Sequence, residues 1–320
     1  MMRALIAFDG SAGAAEAVAL AQTIAWPVQS RLRIVSVVEP GAWIPPLPRV
    51  PMTATPVLEP ELVAYLEAQQ AEIVKRFALA GRAEAALLRG RPASVIIDDA
   101  RDFGADLVIV GSRGHGAIAS LVLGSVSAEV VDHAPSPVLV ARRETLSRVV
   151  VATDDSPSAR AAEDVVAGWP IFDGLPIHVV SVADADRPWT TGIAPMFQRQ
   201  ARDAYTQDLQ AAVEAAERVA SESAVRLREA GRDADATPGR GDPASEIIAF
   251  AEERQADLIV LGSRGRSALA EIVLGSVARN VLAGSKASVL VVREAAAIDR
   301  DSGSGSSSAA RAAANQDRTG

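Results

Sequence analysis

Residues 111–131 read GSRGHGAIASLVLGSVSAEVV, and residues 262–282 read GSRGRSALAEIVLGSVARNVL. The two stretches align without a gap, and 12 of their 21 positions are identical. Each contains Gly-Ser-Arg-Gly, nine further residues and then Gly-Ser-Val. Self-similarity at one fixed offset indicates that a single structural unit occurs twice in this chain.

The similarity extends toward the beginning of each unit. Residues 90–94 (GRPAS) align with residues 241–245 (GDPAS), and Ala-Asp-Leu precedes both glycine-rich stretches at the same offset. The segments AFDGS at 7–11 and ATDDS at 152–156 also correspond, but their offset is smaller by six residues. We therefore expect a short insertion in the second unit, between its second strand and the helix that follows.

These alignments predict two domains, at residues 1–143 and 147–293. From residue 294 to 320 the sequence is mostly Ser, Gly, Ala and charged residues. Such a composition buries too little apolar surface to offset the entropy of ordering, so this tail is expected to be disordered.

Short apolar runs alternate with Ala-rich helical segments in both units. This alternation is typical of a parallel sheet covered by helices on both faces, which is an α/β fold. The predicted strands lie near residues 3–8, 32–38, 84–88, 106–110 and 137–141, and near 148–153, 176–182, 234–238, 257–261 and 288–292. The clearest predicted helices span residues 12–24, 60–79, 93–103, 198–230 and 244–254.

One segment interrupts this alternation. Residues 39–60 contain seven prolines and cannot be helical, because proline lacks the main-chain N–H that a helix interior needs. We interpret the segment as a surface loop, or alternatively as a lid or docking segment anchored by Trp43 and Ile44.

Composition excludes several classes of function. The formal net charge of −8 and the isoelectric point near 5.1 disfavour a general nucleic-acid binder, which needs a basic face. The chain has no cysteine, so disulfides, thiolate metal sites and cysteine nucleophiles are excluded. We find neither a signal peptide nor an apolar run of about 18 residues, so we expect a cytoplasmic protein without a membrane partner. Nearly all cations are arginine, since Lys75 and Lys286 are the only lysines.

The repeated glycines predict an anion site. A strand ends directly before Gly111, and a helix is expected to begin near Gly124, at the sheet edge where open α/β sheets bind ligands. Glycine permits left-handed backbone angles and close approach, and we expect unpaired N–H groups at residues 124–127 to face a phosphate. Ser125 and Ser276 would either donate a hydroxyl to a phosphate oxygen or cap the helix.

Two common phosphate-binding motifs do not fit. No Gly-x4-Gly-Lys-Ser/Thr occurs, and neither lysine lies in the glycine-rich loops, which excludes a Walker A loop. The first strand–helix turn reads DGSAG in one unit and DDSPS in the other, so the dinucleotide fingerprint is also absent.

Several motifs, by their order and spacing, resemble a universal stress protein domain, and the second half repeats most of them. They are the strand followed by Asp-Gly-Ser at 9–11, the Gly-x-Pro-Ala step at 90–93, the Gly-x2-Gly-x9-Gly-Ser frame, and the closing APSPVLV at 134–140. The resemblance covers residues 1–293. It implies a five-stranded parallel sheet in the order 3-2-1-4-5, of the adenine nucleotide alpha hydrolase-like kind. Members with this glycine frame bind ATP, which we expect to be accompanied by Mg²⁺.

The resemblance also implies roles for individual residues. Asp9 and Asp154 would contact adenine, Val37 and Val182 would line the base pocket, and Gly111 and Gly262 would approach the ribose. The phosphates would be held by Gly114, Gly124, Ser125, Val126 and Ser127, and in the second unit by Gly265, Gly275, Ser276 and Val277. Arg113 and Arg264 would act as phosphate clamps, or would be exposed arginines without a role.

Some positions have a second interpretation or depart from the family pattern. Asp9 and Asp154 would alternatively cap the following helix, since an Asp directly after a strand commonly does so. Ala278 stands where the first unit has Ser127, so the second site would lack one phosphate contact. The final strand of the second unit follows GSKAS at 284–288 and not Ala-Pro-x-Pro. His115 lies in the first loop, but its counterpart is Arg266, which disfavours a catalytic role.

We interpret the chain as an ATP-binding regulator of stress or dormancy, with one nucleotide site per domain and an unknown protein partner. The alternatives are a slow ATPase or adenylyl-transferring enzyme, and a scaffold with empty sites. Family members pair through the last strand, so residues 138–141 and 289–292 are expected to pair within the chain, as a pseudo-twofold dimer that closes two sheet edges. Two such chains would form a homodimer.

Overall fold

The computed structural model describes residues 1–40, 59–77, 82–114, 123–184, 195–265 and 274–294. Side chains are described in these ranges except at 59, 82 and 195–205. Residues 41–58 of the proline-rich segment, which include Trp43 and Ile44, lie outside the described residues, as do His115 with its counterpart Arg266 and the polar tail beyond residue 294. Residues 59 and 60 of that segment are helical, so the non-helical prediction is wrong for them, because proline is tolerated in the first turn of a helix.

Ten strands and eight α-helices alternate along the described chain. The strands are β1 Arg3–Ala7, β2 Arg31–Val38, β3 Arg82–Arg89, β4 Leu107–Gly111, β5 Val138–Ala141, β6 Val149–Ala152, β7 Pro176–Asp184, β8 Asp233–Gly241, β9 Leu258–Gly262 and β10 Ser288–Val292. The helices are α1 Ala12–Thr23, α2 Glu59–Phe77, α3 Pro92–Phe103, α4 Ser125–His133, α5 Pro157–Gly168, α6 Pro195–Glu229, α7 Pro243–Glu253 and α8 Ser276–Gly284, with a 3-10 turn at Pro170–Phe172.

All ten strands form one sheet, in the order β3-β2-β1-β4-β5-β10-β9-β6-β7-β8. Within each half the neighbouring strands are parallel. Counted within its own half, each set of five strands has the order 3-2-1-4-5, so the predicted order is confirmed for both. The two halves meet where β5 and β10 pair antiparallel, with Leu139 opposite Leu290. The outer edge of the first half is β3 and that of the second half is β8. The inner edges, β5 and β10, are paired with each other.

Two hydrophobic cores lie on opposite faces of this sheet, because the central strands are buried on both sides. Helices α1, α2, α5 and α6 cover one face, and α3, α4, α7 and α8 cover the other. Alternate residues of β5 and β10 enter each core, so that Leu139 and Leu290 belong to one core while Val140 and Val289 belong to the other. Each core therefore runs through both halves without a break at the β5–β10 pair.

The second half differs from the first mainly in one helix. Helix α6 has 35 residues, whereas its counterpart α2 has 19. The insertion expected between the second strand and this helix is not found there, because 10 residues separate β7 from α6 and 20 separate β2 from α2; the extra length lies in the helix itself. None of the helices in the described ranges is both long and apolar enough to cross a bilayer.

We predict that Leu139→Ala lowers the free energy of unfolding by about 2–5 kcal/mol, because truncation of a buried leucine leaves a cavity. Leu139 is 3% exposed and lies at the pair that joins the halves. The measurement is chemical denaturation followed by far-UV circular dichroism. The control is Val28→Ala, since Val28 is 88% exposed and its truncation should change stability by less than about 0.5 kcal/mol. Equal losses of stability in both variants would contradict the conclusion that Leu139 is tightly packed at the β5–β10 pair.

Candidate functional site

The turn between β1 and α1 is organised by an aspartate and a serine. The Asp9 carboxylate (Oδ1) accepts a hydrogen bond from the Ser11 N–H at 2.9 Å, and the Ser11 hydroxyl caps α1 by accepting from the Ala14 N–H at 3.2 Å. In the second half Asp154 and Ser156 make the equivalent bonds at 3.0 and 3.3 Å. The capping interpretation of the two aspartates is therefore wrong, because the serines two positions later are the caps.

The same serines attach this turn to the loop that follows the fourth strand of each half. The Ser11 hydroxyl donates to the Arg113 carbonyl at 3.2 Å, and the Ser156 hydroxyl donates to the Arg264 carbonyl at 3.1 Å. In the second half the Ser158 hydroxyl also bonds the Arg264 main chain, where the first half has Gly13. In each half these bonds join two loops that are about 100 residues apart in sequence, at the carboxyl edge of the sheet.

Gly111 and Gly262 are required by this close approach. A Cβ added to Gly111 would lie 2.8 Å from the Ala14 nitrogen, and one added to Gly262 would lie 2.6 Å from the Ala159 nitrogen. Separations under 3.0 Å are not seen for real Cβ atoms, so the first turn of α1 or α5 would have to move. The structure thus supplies a packing reason for these two glycines, independent of any ligand.

Gly114 and Gly265 face the aspartate of their own half. A Cβ on Gly114 would lie 3.1 Å from Asp9 Oδ2, and a Cβ on Gly265 would lie 2.9 Å from Asp154 Oδ2. The absence of a side chain here keeps the space between the carboxylate and the loop open in both halves.

Two short helices begin beside these loops, α4 after Gly124 and α8 after Gly275. The N-cap residue is a glycine in each case and provides no side-chain cap, while Ser125 and Ser276 are the exposed first helical residues. The serine-capping interpretation is therefore wrong. Amides of the first helical turn have no acceptor within their own helix, so they are available to an anion.

One expectation about these amides is also wrong. The Gly124 N–H donates to the Ser112 carbonyl at 3.0 Å, and the Gly275 N–H donates to the Ser263 carbonyl at 2.8 Å. The loop closes on itself through this bond before the helix starts. The available donors therefore begin one residue later, at Ser125 and Ser276.

A cavity at the carboxyl edge of β1, β2 and β4 gathers most of the predicted residues of the first half. Seven of them line it: Asp9, Val37, Gly111, Arg113, Gly114, Val126 and Ser127. Gly124 and Ser125 are not part of its lining. The rest of the lining is mainly apolar and was not predicted as part of the site, although three of its residues belong to the repeated segment at 7–11: Ala7, Phe8, Ser11, Ala14, Val35, Ile96 and Val110. A pattern of buried strand ends next to the glycine loop would have identified Val35 and Val110.

The Ser127 hydroxyl is already engaged within the protein. It is buried and donates to the Gly111 carbonyl at 2.7 Å, which ties the start of α4 to the end of β4. A phosphate could receive this hydrogen only if that bond were given up. Ala278 at the equivalent position cannot form the bond, so the second half lacks this tie.

The second half repeats the first in its main chain but not in its surroundings. Its predicted residues occupy the equivalent positions: Asp154, Val182, Gly262, Arg264, Gly265, Gly275, Ser276 and Val277. Thr153 replaces Phe8 at the end of the first strand, and its hydroxyl donates to the buried Glu163 carboxylate at 2.7 Å. Glu163 is also paired with Arg226 from α6, whose Nε donates to it at 3.0 Å. No pattern in the sequence indicates this buried ion pair.

Comparisons with known proteins agree with this architecture. The model of the universal stress protein family matches residues 1–142 and 145–293. A universal stress protein of Thermus aquaticus is 40% identical over 141 residues, which cover 43% of this chain and 96% of that protein. One of Mycobacterium tuberculosis is 27% identical over 280 residues, which cover 78% of this chain and 88% of that protein.

Among solved structures, a universal stress protein from Archaeoglobus fulgidus covers 91% of this chain and 98% of its own. The TM-score is 0.60 and the sequence identity is 21%. At this identity the likeness concerns the fold alone.

We predict that Gly111→Ala and Gly262→Ala each lower the free energy of unfolding by about 1–3 kcal/mol, the usual cost of overpacking. The matched control is Gly168→Ala, since a Cβ there meets nothing within 4 Å, and it should be neutral or slightly stabilising. Denaturation midpoints of the three variants provide the measurement. Unchanged stability in Gly111→Ala would show that the contact with α1 is not tight.

Proposed function

Because this chain belongs to the universal stress protein family, we propose that each of its two halves binds an adenine nucleotide as a regulatory ligand. The nucleotide is ATP, accompanied by Mg²⁺. Its occupancy shifts the population of conformations that a protein partner recognises. The domain limits of this proposal are residues 1–143 and 147–293.

The observation that carries the proposal is the make-up of the cavity in the first half. Its apolar wall, which includes Val35, Val37 and Ile96, suits a flat base, and the Asp9 carboxylate in the same lining can accept hydrogen bonds from an amino group. Arg113 and the loop glycine Gly114 lie in the same lining. One cavity thus combines a base pocket with a phosphate-binding rim.

The phosphates are held mainly by main-chain groups. Amides at the first turn of α4 and α8 point outward with the positive end of the helix dipole, which favours an anion. Arg113 and Arg264 supply the nearby cations, and a guanidinium suits phosphate because its donors form a planar fork. Mg²⁺ fits such a site through phosphate oxygens and water, since it commonly keeps several waters and needs few protein ligands.

The cavity favours binding over turnover. Hydrolysis or adenylyl transfer requires a base placed next to the attacking group. In the cavity lining of the described residues the ionisable side chains are Asp9 and Arg113, and Asp9 already accepts the Ser11 N–H. Recognition by a partner, or by a second copy of this chain, requires only that bound nucleotide changes the conformation of the loops around it.

We predict that Gly114→Asp and Gly265→Asp each remove one of two bound nucleotides per chain. The new carboxylate would be placed against Asp9 or Asp154 and in the path of the phosphates, where both overlap and like charge oppose binding. Titration with ATP and magnesium, together with mass spectrometry of nucleotide released on denaturation, measures the stoichiometry.

The charge-matched control is Gly168→Asp, which lies in open space on α5 and should keep both sites. Wild-type protein that neither carries nor binds adenine nucleotide would overturn the proposal. Multiple-turnover ATP hydrolysis that is abolished by Gly114→Asp would show an enzyme in place of a binding module.

A further inference from the structure

Two arginines at equivalent positions of the repeat cross from one half of the molecule to the other. Arg142 follows β5, and its Nη1 donates to the Ser285 carbonyl of the second half at 3.0 Å. Its Nη2 donates to the Leu282 carbonyl. Arg293 follows β10 and makes the mirrored contacts in the first half, with the carbonyls of Ala134, at 3.4 Å, and Val131.

The carbonyls that these arginines reach belong to the ends of α8 and α4. Leu282 and Ser285 are the last turn and C-cap of α8, and Val131 and Ala134 are the same positions of α4. The last carbonyls of a helix lack N–H partners within it and carry partial negative charge. A guanidinium can satisfy two of them at once through its planar fork.

These two helices are the ones whose other ends face the proposed nucleotide sites. Each has nine residues, so its two ends are only roughly 13 Å apart at 1.5 Å per residue. A short rigid helix that is held at its carboxyl end has a defined position at its amino end. The orientation of the phosphate-binding amides in one half thus depends on an arginine of the other half.

We propose that Arg142 and Arg293 are positioning residues for nucleotide binding, each acting on the site of the opposite half. Arg142 positions α8 and the second site, and Arg293 positions α4 and the first site. This inference rests on the proposed function, since it concerns the same two sites.

The environment of the arginines is consistent with this role. The pKa of Arg142 is lowered to about 10, first by burial and then by the neighbouring cation Arg113, while the Glu16 carboxylate acts in the opposite direction. Burial also lowers the pKa of Arg293; the nearby Asp132 carboxylate opposes this shift, and the cation Arg264 adds to it. Within the described residues, the hydrogen bonds of both guanidinium groups go to main-chain carbonyls. A partly buried cation needs good partners, and the carbonyls at the helix ends supply them.

The test measures each site alone. In a Gly114→Asp background only the second site remains, and we expect Arg142→Gln to weaken its affinity for ATP three- to tenfold. In a Gly265→Asp background only the first site remains, and we expect Arg142→Gln to change its affinity less than it changes that of the second site, through the loss of a charge near Arg113 alone. Arg293→Gln should give the opposite pattern. The measurement is isothermal titration with ATP and magnesium.

Two further variants test whether the effect on affinity comes from the contacts of Arg142 or only from its charge. Arg143→Gln removes the same charge from an exposed neighbour and should leave both affinities unchanged. Arg142→Lys keeps the charge but loses the fork, so the second site should weaken to an intermediate extent. Hydrogen exchange without nucleotide provides an independent readout, because Arg142→Gln should speed exchange in Ser276–Gly284 and not in Ser125–His133.

The outcomes are distinguishable. If wild-type protein binds no nucleotide, the proposed function fails and this inference fails with it. If wild type fills two sites, and Arg142→Gln lowers only the melting temperature or weakens both sites equally, the inference alone is overturned. Unchanged exchange in α8 would overturn it as well.

Discussion

The structure depends on the antiparallel pairing of β5 with β10. Each half presents the last strand of its parallel sheet as an exposed edge, and such an edge has unpaired N–H and C=O groups. The pair at Leu139 and Leu290 satisfies both edges together and continues both hydrophobic cores through the chain. It also brings the segment after each strand, with Arg142 or Arg293, against the helix ends of the other half. The fold and the link between the two candidate sites therefore have the same origin.

The site itself follows from strand order. Because β4 lies beside β1 in the sheet, the loop after β4 and the turn after β1 leave the sheet at the same edge, and Ser11 can bond the Arg113 carbonyl. The glycines then serve two different purposes. Gly111 lets the first turn of α1 approach, whereas Gly114 keeps the space beside the Asp9 carboxylate open. A motif that looks like one ligand signature in the sequence thus combines a packing requirement at Gly111 with open space beside a carboxylate at Gly114.

The two sites share a main-chain frame but differ in what supports it. The first half has Phe8 in the cavity lining and a Ser127 bond to the Gly111 carbonyl. In the second half a buried polar network replaces the aromatic support, with Thr153 and Arg226 both bonded to Glu163. Loss of one partner of such a network is costly, because a buried charge would be left unpaired. The duplicated halves have thus kept the backbone geometry while changing its surroundings.

The sequence by itself determined the repeat, the α/β class, the strand and helix segments to within a few residues, and the glycine loops at the sheet edge. These features are encoded locally, by apolar periodicity and by residues that limit or free the backbone. Only the tertiary structure decided that the Ser11 hydroxyl reaches the Arg113 carbonyl, that the Gly124 amide closes the loop, and that Glu163 is buried with Arg226. The same holds for Arg142, whose partners lie 140 and 143 residues away. No local pattern specifies such contacts, because they exist only once distant strands have paired.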